Sequence, residues 1–266
     1  MKPVILLVAL LSACGQKAGT QPSNDPISEQ PAGQPKAVQP VAKPFAFDVK
    51  DDLIDFHYGW SAEAAAVPQL VERFRKDMEN VKAKILAGAR EDKAFRDKEG
   101  IEFPGYMSST EFETAGQSDR LLSLRGEVGA YTGGAHGNYG TSAILWDRSA
   151  AKEIKDSDLF AEPANRDRLL TQRWCDALNK AREEKREEPV SGDGLFDDCP
   201  KLDEIAIIPT DKDGNGRFER LLLVAAPYVA GAYAEGSYEI DLAVTPDLLA
   251  ALKSEYRSDF EVGQEQ

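Results

Sequence analysis

Between Tyr106 and Asp147 three runs read as strands: Tyr106 to Thr114, where apolar or aromatic and polar residues alternate, then Leu121 to Tyr131, and Tyr139 to Asp147. A period of two puts successive side chains on opposite faces of a strand and cannot build a helix stripe. Ala115 to Asp119 reads as a turn between the first two runs. The glycine-rich stretch Thr132-Gly-Gly-Ala-His-Gly-Asn138 separates the second and third. Connections this short join neighbouring antiparallel strands, because a parallel pair needs a crossover of a dozen or more residues. Three antiparallel strands with one apolar face are therefore the nucleus of the fold, and that face has to be covered.

Two long amphipathic segments can cover it. In the first, Val67, Leu70, Val71, Phe74, Met78, Val81 and Ile85 recur at three-four spacing, with charges opposite. Ser61 is a cap, and Pro68 suits a first turn, so the long helix starts near Val67. The second runs through "EPANRDRLLTQRWCDALNKAREEKREE", with Leu169, Leu170, Trp174 and Leu178 on its apolar side. Phe45 to Trp60 alternates and reads as a strand entering the domain. "SAAKEIKDSDLF" reads as a turn followed by a short helical or extended piece. Ile205–Ile208, Arg220–Ala225 and Tyr238–Val244 are further strands, and Thr245 caps a closing helix over Thr245–Tyr256 with Pro246 at its first position. The predicted class is α+β, a mostly antiparallel sheet with two longer helices and a short C-terminal one.

The ends have a different character. Lys2, the apolar run Val4 to Leu11, and Leu11-Ser12-Ala13-Cys14 form a secretory signal too short to span a bilayer. The four closing residues are similar to a lipoprotein lipobox, which implies cleavage after residue 13 and a lipid on Cys14. With Gly15 rather than Asp next, resemblance to Gram-negative lipoproteins implies the outer membrane. Residues 14–44 are rich in Pro, Gln, Ala and Ser and nearly free of large apolar side chains. Such a segment buries too little surface to offset ordering entropy and reads as a disordered tether. The folded part is then 45–260, one domain or two closely packed subdomains of about 45–130 and 131–260.

The 266 residues carry 32 basic and 46 acidic groups, a formal charge of −14. That balance excludes nucleic acid as a partner and attracts cations instead, although acidity also serves solubility alone. With Cys14 lipidated, Cys175 and Cys199 remain of the three cysteines, an even pair that suits a structural disulfide in an oxidising compartment.

His136 is one of only two histidines, the other being His57. As a base it needs an activated nucleophile and an orienting acid, and no GxSxG-like elbow is present. A metal site needs more ligands than two histidines offer. The readings are a glycine-rich bend fixed by the imidazole, a ligand contact, or catalysis. Asp211, Asp213 and Asn215 occupy positions one, three and five of a calcium-type loop, with Gly216 at six and Glu219 as a late carboxylate. Position twelve is Leu222, not the bidentate glutamate, and strands flank the loop. The competing reading is a hairpin turn in which Gly214, Asn215 and Gly216 take positive φ. Glu102, Glu111, Glu113 and Glu127 offer carboxylates to a glycosidase-like pair, but linear spacing does not bring two of them together.

The order of pieces resembles a known arrangement. Tyr131-Thr-Gly-Gly-Ala-His-Gly-Asn138, then Asp158-Leu-Phe160, then Tyr228, Ala230, Gly231 and Gly236 are similar to bacterial extracytoplasmic domain-of-unknown-function families 4163 and 3298. Related domains occur in the lysozyme-sensing anti-sigma factor RsiV and as the accessory domain of the peptidoglycan deacetylase PdaC. The resemblance implies an α+β envelope domain that binds a lysozyme-like protein or cell-wall material, with Tyr131, Gly133, Gly134, His136 and Asn138 as contact residues. No sigma-binding segment and no deacetylase domain accompany it, so neither activity carries over. The alternative is an envelope hydrolase acting on peptidoglycan. No cofactor is required, with calcium at Asp211, Asp213, Asn215 and Glu219 as the one candidate.

Overall fold

The computed structural model describes residues 42–264 except residue 193. The signal, Cys14 and the tether as far as residue 41 lie outside the described residues. A six-stranded sheet runs in chain order: β1 (Phe45–Lys50), β2 (Ile54–Trp60), β3 (Tyr106–Gln117), β4 (Leu121–Tyr131), β5 (Asn138–Asp147) and β6 (Lys152–Ile154). Every neighbouring pair is antiparallel except β2 and β3, which are parallel and joined by the helices α1 (Ala62–Ala65) and α2 (Pro68–Glu99). After α3 (Ala164–Arg186), a second antiparallel sheet forms from β7 (Ala206–Thr210), β8 (Arg220–Ala225) and β9 (Tyr238–Ala243), followed by α4 (Pro246–Ala251). The fold is α+β, as the sequence pattern requires.

Alternation along the strands makes two cores. Ile54, Phe56, Tyr58 and Trp60 of β2 point to one face with Leu122, Leu124, Ile144 and Trp146, where Leu70, Phe74 and Met78 of α2 cover them. The opposite face offers Leu121, Leu145 and Ile154 to Leu170, Trp174 and Leu178 of α3 and to the second sheet. The run Leu121–Leu124 is buried throughout because its two faces meet different layers. The sheets approach closely at Gly116, where a Cβ would stand 2.6 Å from the Asp211 backbone nitrogen. A β-bulge between Thr114 and Gly116 shapes β3 there, and Asp211 N–H donates to the Ala115 carbonyl at 3.3 Å.

Several boundaries differ from expectation for identifiable reasons. Phe45–Trp60 is two strands, because Asp51 Oδ1 accepts from the Leu53 and Ile54 amides at 2.8 and 2.9 Å and folds the chain into a hairpin. Ala115 to Asp119 is a turn only at its end, since β3 continues to Gln117 through the bulge. The helix expected over Thr245–Tyr256 stops at Ala251. Leu252 instead bridges Phe160, and Lys253 N–H donates to the Leu159 carbonyl at 2.8 Å. Ser61 and Thr245 cap as expected, and Pro68 and Pro246 lie in their first helical turns.

Candidate functional site

The glycine-rich connection between β4 and β5 is bent by Gly133 and Gly134, at φ +90° and +104°, where side-chain-bearing residues are strained. Tyr131 Oη donates to the Gly134 carbonyl at 3.2 Å, closing the bend. The imidazole of His136 donates through Nδ1 to the Gly137 carbonyl at 2.9 Å. That carbonyl also accepts from Tyr233 Oη at 2.8 Å, and the His136 ring lies stacked on the Tyr233 ring with centroids 3.7 Å apart. Tyr139, at the start of β5, meets Tyr233 edge-on at 5.8 Å, and Tyr228 meets it tilted at 5.8 Å. The segment Tyr228–Gly236, between β8 and β9, thus joins "YTGGAHGNY" in one aromatic patch with Tyr233 at its hub. Tyr139 is 42% and Tyr228 55% exposed, and His136 and Asn138 are exposed too, so the rings face solvent.

Helix α3 holds the second half of the patch. Arg182 is fully buried and donates to the Ala230 carbonyl at 2.9 Å, and to the carbonyls of Asp197 and Asp198 at 3.0 and 2.9 Å. Lys185 donates to the carbonyls of Glu235 and Ser237, and Arg186 pairs with Asp197 and Glu235. Backbone N–H donation from Gly194, with Arg186, Ser191 and the Gly192 amide, pulls the Asp197 carboxyl down to about 2. Burial, reinforced by the hydrogen bond to Glu235, pushes the Tyr238 hydroxyl up to about 12. The expected disulfide Cys175–Cys199 is present and closes the loop from α3 back to this clamp. Sequence patterning places Arg182, Lys185 and Arg186 late in the second amphipathic helix without assigning them a role. It has no signal for the backbone carbonyls that a later segment brings to them.

His136 has no carboxylate on Nδ1, the proton site being committed to a carbonyl. His57 does lie between two carboxylates, with Nδ1 2.7 Å from Asp48 and Nε2 2.8 Å from Glu111. The hydrogen bond to Asp48, then that to Glu111, raises its pKa. Of the four glutamates read as acid–base candidates, Glu111 and Glu127 face each other across β3 and β4. Each is held by donors, Glu111 by His57 and Glu127 by Arg125 and Thr141. Glu113 pairs in register with Arg125, and Glu102 lies before β3, its carbonyl accepting from Arg96.

The calcium-type segment forms the β7–β8 hairpin connection. Asp211 accepts from the amides of Gly214, Asn215 and Gly216 at 2.8, 3.1 and 2.9 Å, so the loop is closed by its own main chain. Gly214 and Gly216 take positive φ but Asn215 does not, since its amide turns back to Asp211 and Asp213. Ligand oxygens of Asp211, Asp213 and Glu219 lie within 4.8 Å of one another, and these with Asn215 are the residues that would hold a calcium ion. Asp158 accepts from the Lys155 amide, and Leu159 and Phe160 are buried, which gives that motif a packing role.

Comparison with known proteins agrees with the resemblance read from the motifs. Residues 49–139 match the family model described as Deacetylase PdaC. A DUF3298 family protein of Pseudomonas aeruginosa PAO1 is similar in structure, with TM-score 0.50 and 15% identity over 80% of this chain and 95% of that one. Another DUF3298 family member, from Bacteroides fragilis NCTC 9343, has TM-score 0.48 and 16% identity over 82% and 96%. No curated protein matches the chain. The family match ends at Tyr139, so it includes the first half of the aromatic patch and not the second.

Proposed function

We propose that this chain is a lipid-anchored cell-envelope binding protein, held at the outer membrane through Cys14 and contacting its ligand through the His136–Tyr233 patch without chemistry. The observation that carries this reading is the exposure of three rings, His136, Tyr139 and Tyr228, that each contact a half-buried Tyr233 and are brought together from two distant segments. Exposed aromatic clusters with a polar surround mark interaction sites in soluble domains. The family resemblance supports an envelope domain, and the charge of −14 supports a cationic protein such as a lysozyme or cell-wall material as the ligand. Surface plasmon resonance of the full chain against lysozyme and against solubilised peptidoglycan, at low ionic strength, tests it. Binding to one of them, lost in the His136→Ala/Tyr233→Ala double variant, is expected. Binding to neither, or binding indifferent to the double variant, overturns it.

The alternative is a peptidoglycan hydrolase built on Glu111 and Glu127. Their cross-strand pairing is the one observation in its favour. Both carboxylates accept from cationic or hydroxyl donors, whereas a general acid needs surroundings that keep it protonated. Turnover of purified muropeptides abolished by Glu111→Gln would establish hydrolysis.

A further inference from the structure

Resting on the assignment of the His136–Tyr233 patch as the ligand surface, we propose that its ligand is a neutral glycan, a chain of pyranose rings that lie with their apolar faces on Tyr228, Tyr139 and His136. Tyr228 holds φ +69°. Outside glycine, asparagine and aspartate that conformation is unfavourable by about 1–2 kcal/mol. In it, more than half of the tyrosine surface faces solvent. The backbone geometry does not reward a tyrosine at this position and its ring contact is with Tyr233 inside the patch, so a ring offered to a ligand explains both the conformation and the exposure.

The electrostatics favour an uncharged partner. Arg125 pairs with Glu127 and Glu239, and Arg186 with Asp197 and Glu235. The carboxylates of Glu127, Asp197, Glu235 and Glu239 beside the patch are therefore each engaged by an arginine. The net charge of −14 attracts cations to the molecule as a whole, but a cationic protein held at this patch needs unmatched carboxylates at the contact, and those beside it are engaged. What the patch presents is ring faces and polar edges: the outward face of the His136 stack and the exposed Asn138 side chain. Pyranose rings need that combination, because their axial C–H bonds meet an aromatic face while equatorial hydroxyls reach hydrogen-bonding groups at its margin.

Chitotetraose titrated into the isotope-labelled full chain, with amide and ring resonances followed by NMR, tests the assignment. Saturable shifts are expected at His136, Tyr139, Tyr228 and Tyr233. The dissociation constant should be unchanged between about 50 and 500 mM NaCl, a range in which charge-driven binding weakens strongly. Tyr228→Ala should weaken binding roughly tenfold. Arg73→Ala, on α2 and outside the patch, should leave it unchanged. Shifts at the patch with lysozyme but none with the saccharide would overturn the glycan while keeping the surface. Shifts with neither would overturn both.

Discussion

Tyr228 sets a test at the scale of one residue. Asparagine tolerates positive φ far better than an aromatic side chain does. Tyr228→Asn is therefore expected to leave the melting temperature equal or raise it by about 2–4 °C, following relief of about 1 kcal/mol, while ligand binding weakens roughly tenfold, as for Tyr228→Ala. A fall in melting temperature would mean that the ring's contact with Tyr233 is structural, and calorimetry reads the difference directly. His136 was legible from the sequence as a rare residue inside a bend, and its hydrogen bond to the Gly137 carbonyl fits that reading. Its stacking on Tyr233 was not legible. That contact joins residues 97 positions apart, and no local periodicity encodes it.

Among the elements, α3 has two tasks. One face carries Leu170, Trp174 and Leu178 into the core, and its last turns grip the segment from Ala230 to Ser237. The Cys175–Cys199 bond closes the chain across that grip with a sequence separation of 24. Replacing both cysteines with serine is expected to destabilise the protein by about 3 kcal/mol, lowering the melting temperature by about 6–12 °C. Hydrogen exchange should quicken first in residues 226–237 and leave β2 to β4 protected. Equal loss of protection everywhere would contradict the clamp. The existence and type of α2, α3 and β3 to β5 were readable because each is long and strongly periodic. The ends of β1 and α4 were not. There the outcome depends on a side chain capping a turn, as Asp51 does, or on a distant strand partner, as Phe160 supplies to Leu252.

For the molecule as a whole, Asp147 joins the layers. Its fully buried carboxylate accepts from Arg120, from Tyr256 Oη at 3.1 Å and from the Ser149 and Ala150 amides. Burial opposes ionisation there, but the Arg120 hydrogen bond, the Ala150 amide and the Tyr256 hydroxyl outweigh it and hold the pKa below the usual carboxylate value. A carboxyl depressed on folding stabilises the protein above its unfolded pKa of about 4, and the contribution is lost as pH falls through the lower, folded value. Asp147→Ala is expected to remove about 2–3 kcal/mol at neutral pH, seen as a melting temperature about 5–10 °C lower, with the gap to wild type narrowing in acid. A gap that stays constant down to pH 2 would refute the ionic role.

The two-part construction of the aromatic patch also has a consequence for biogenesis. A polypeptide whose synthesis has passed Tyr139 but not Tyr233 has His136 and Tyr139 without the ring they rest on. Under the proposed function, recognition then switches on only when the last third of the chain has folded back. On that proposal an unfinished or clipped copy is silent and does not compete for ligand with the finished protein.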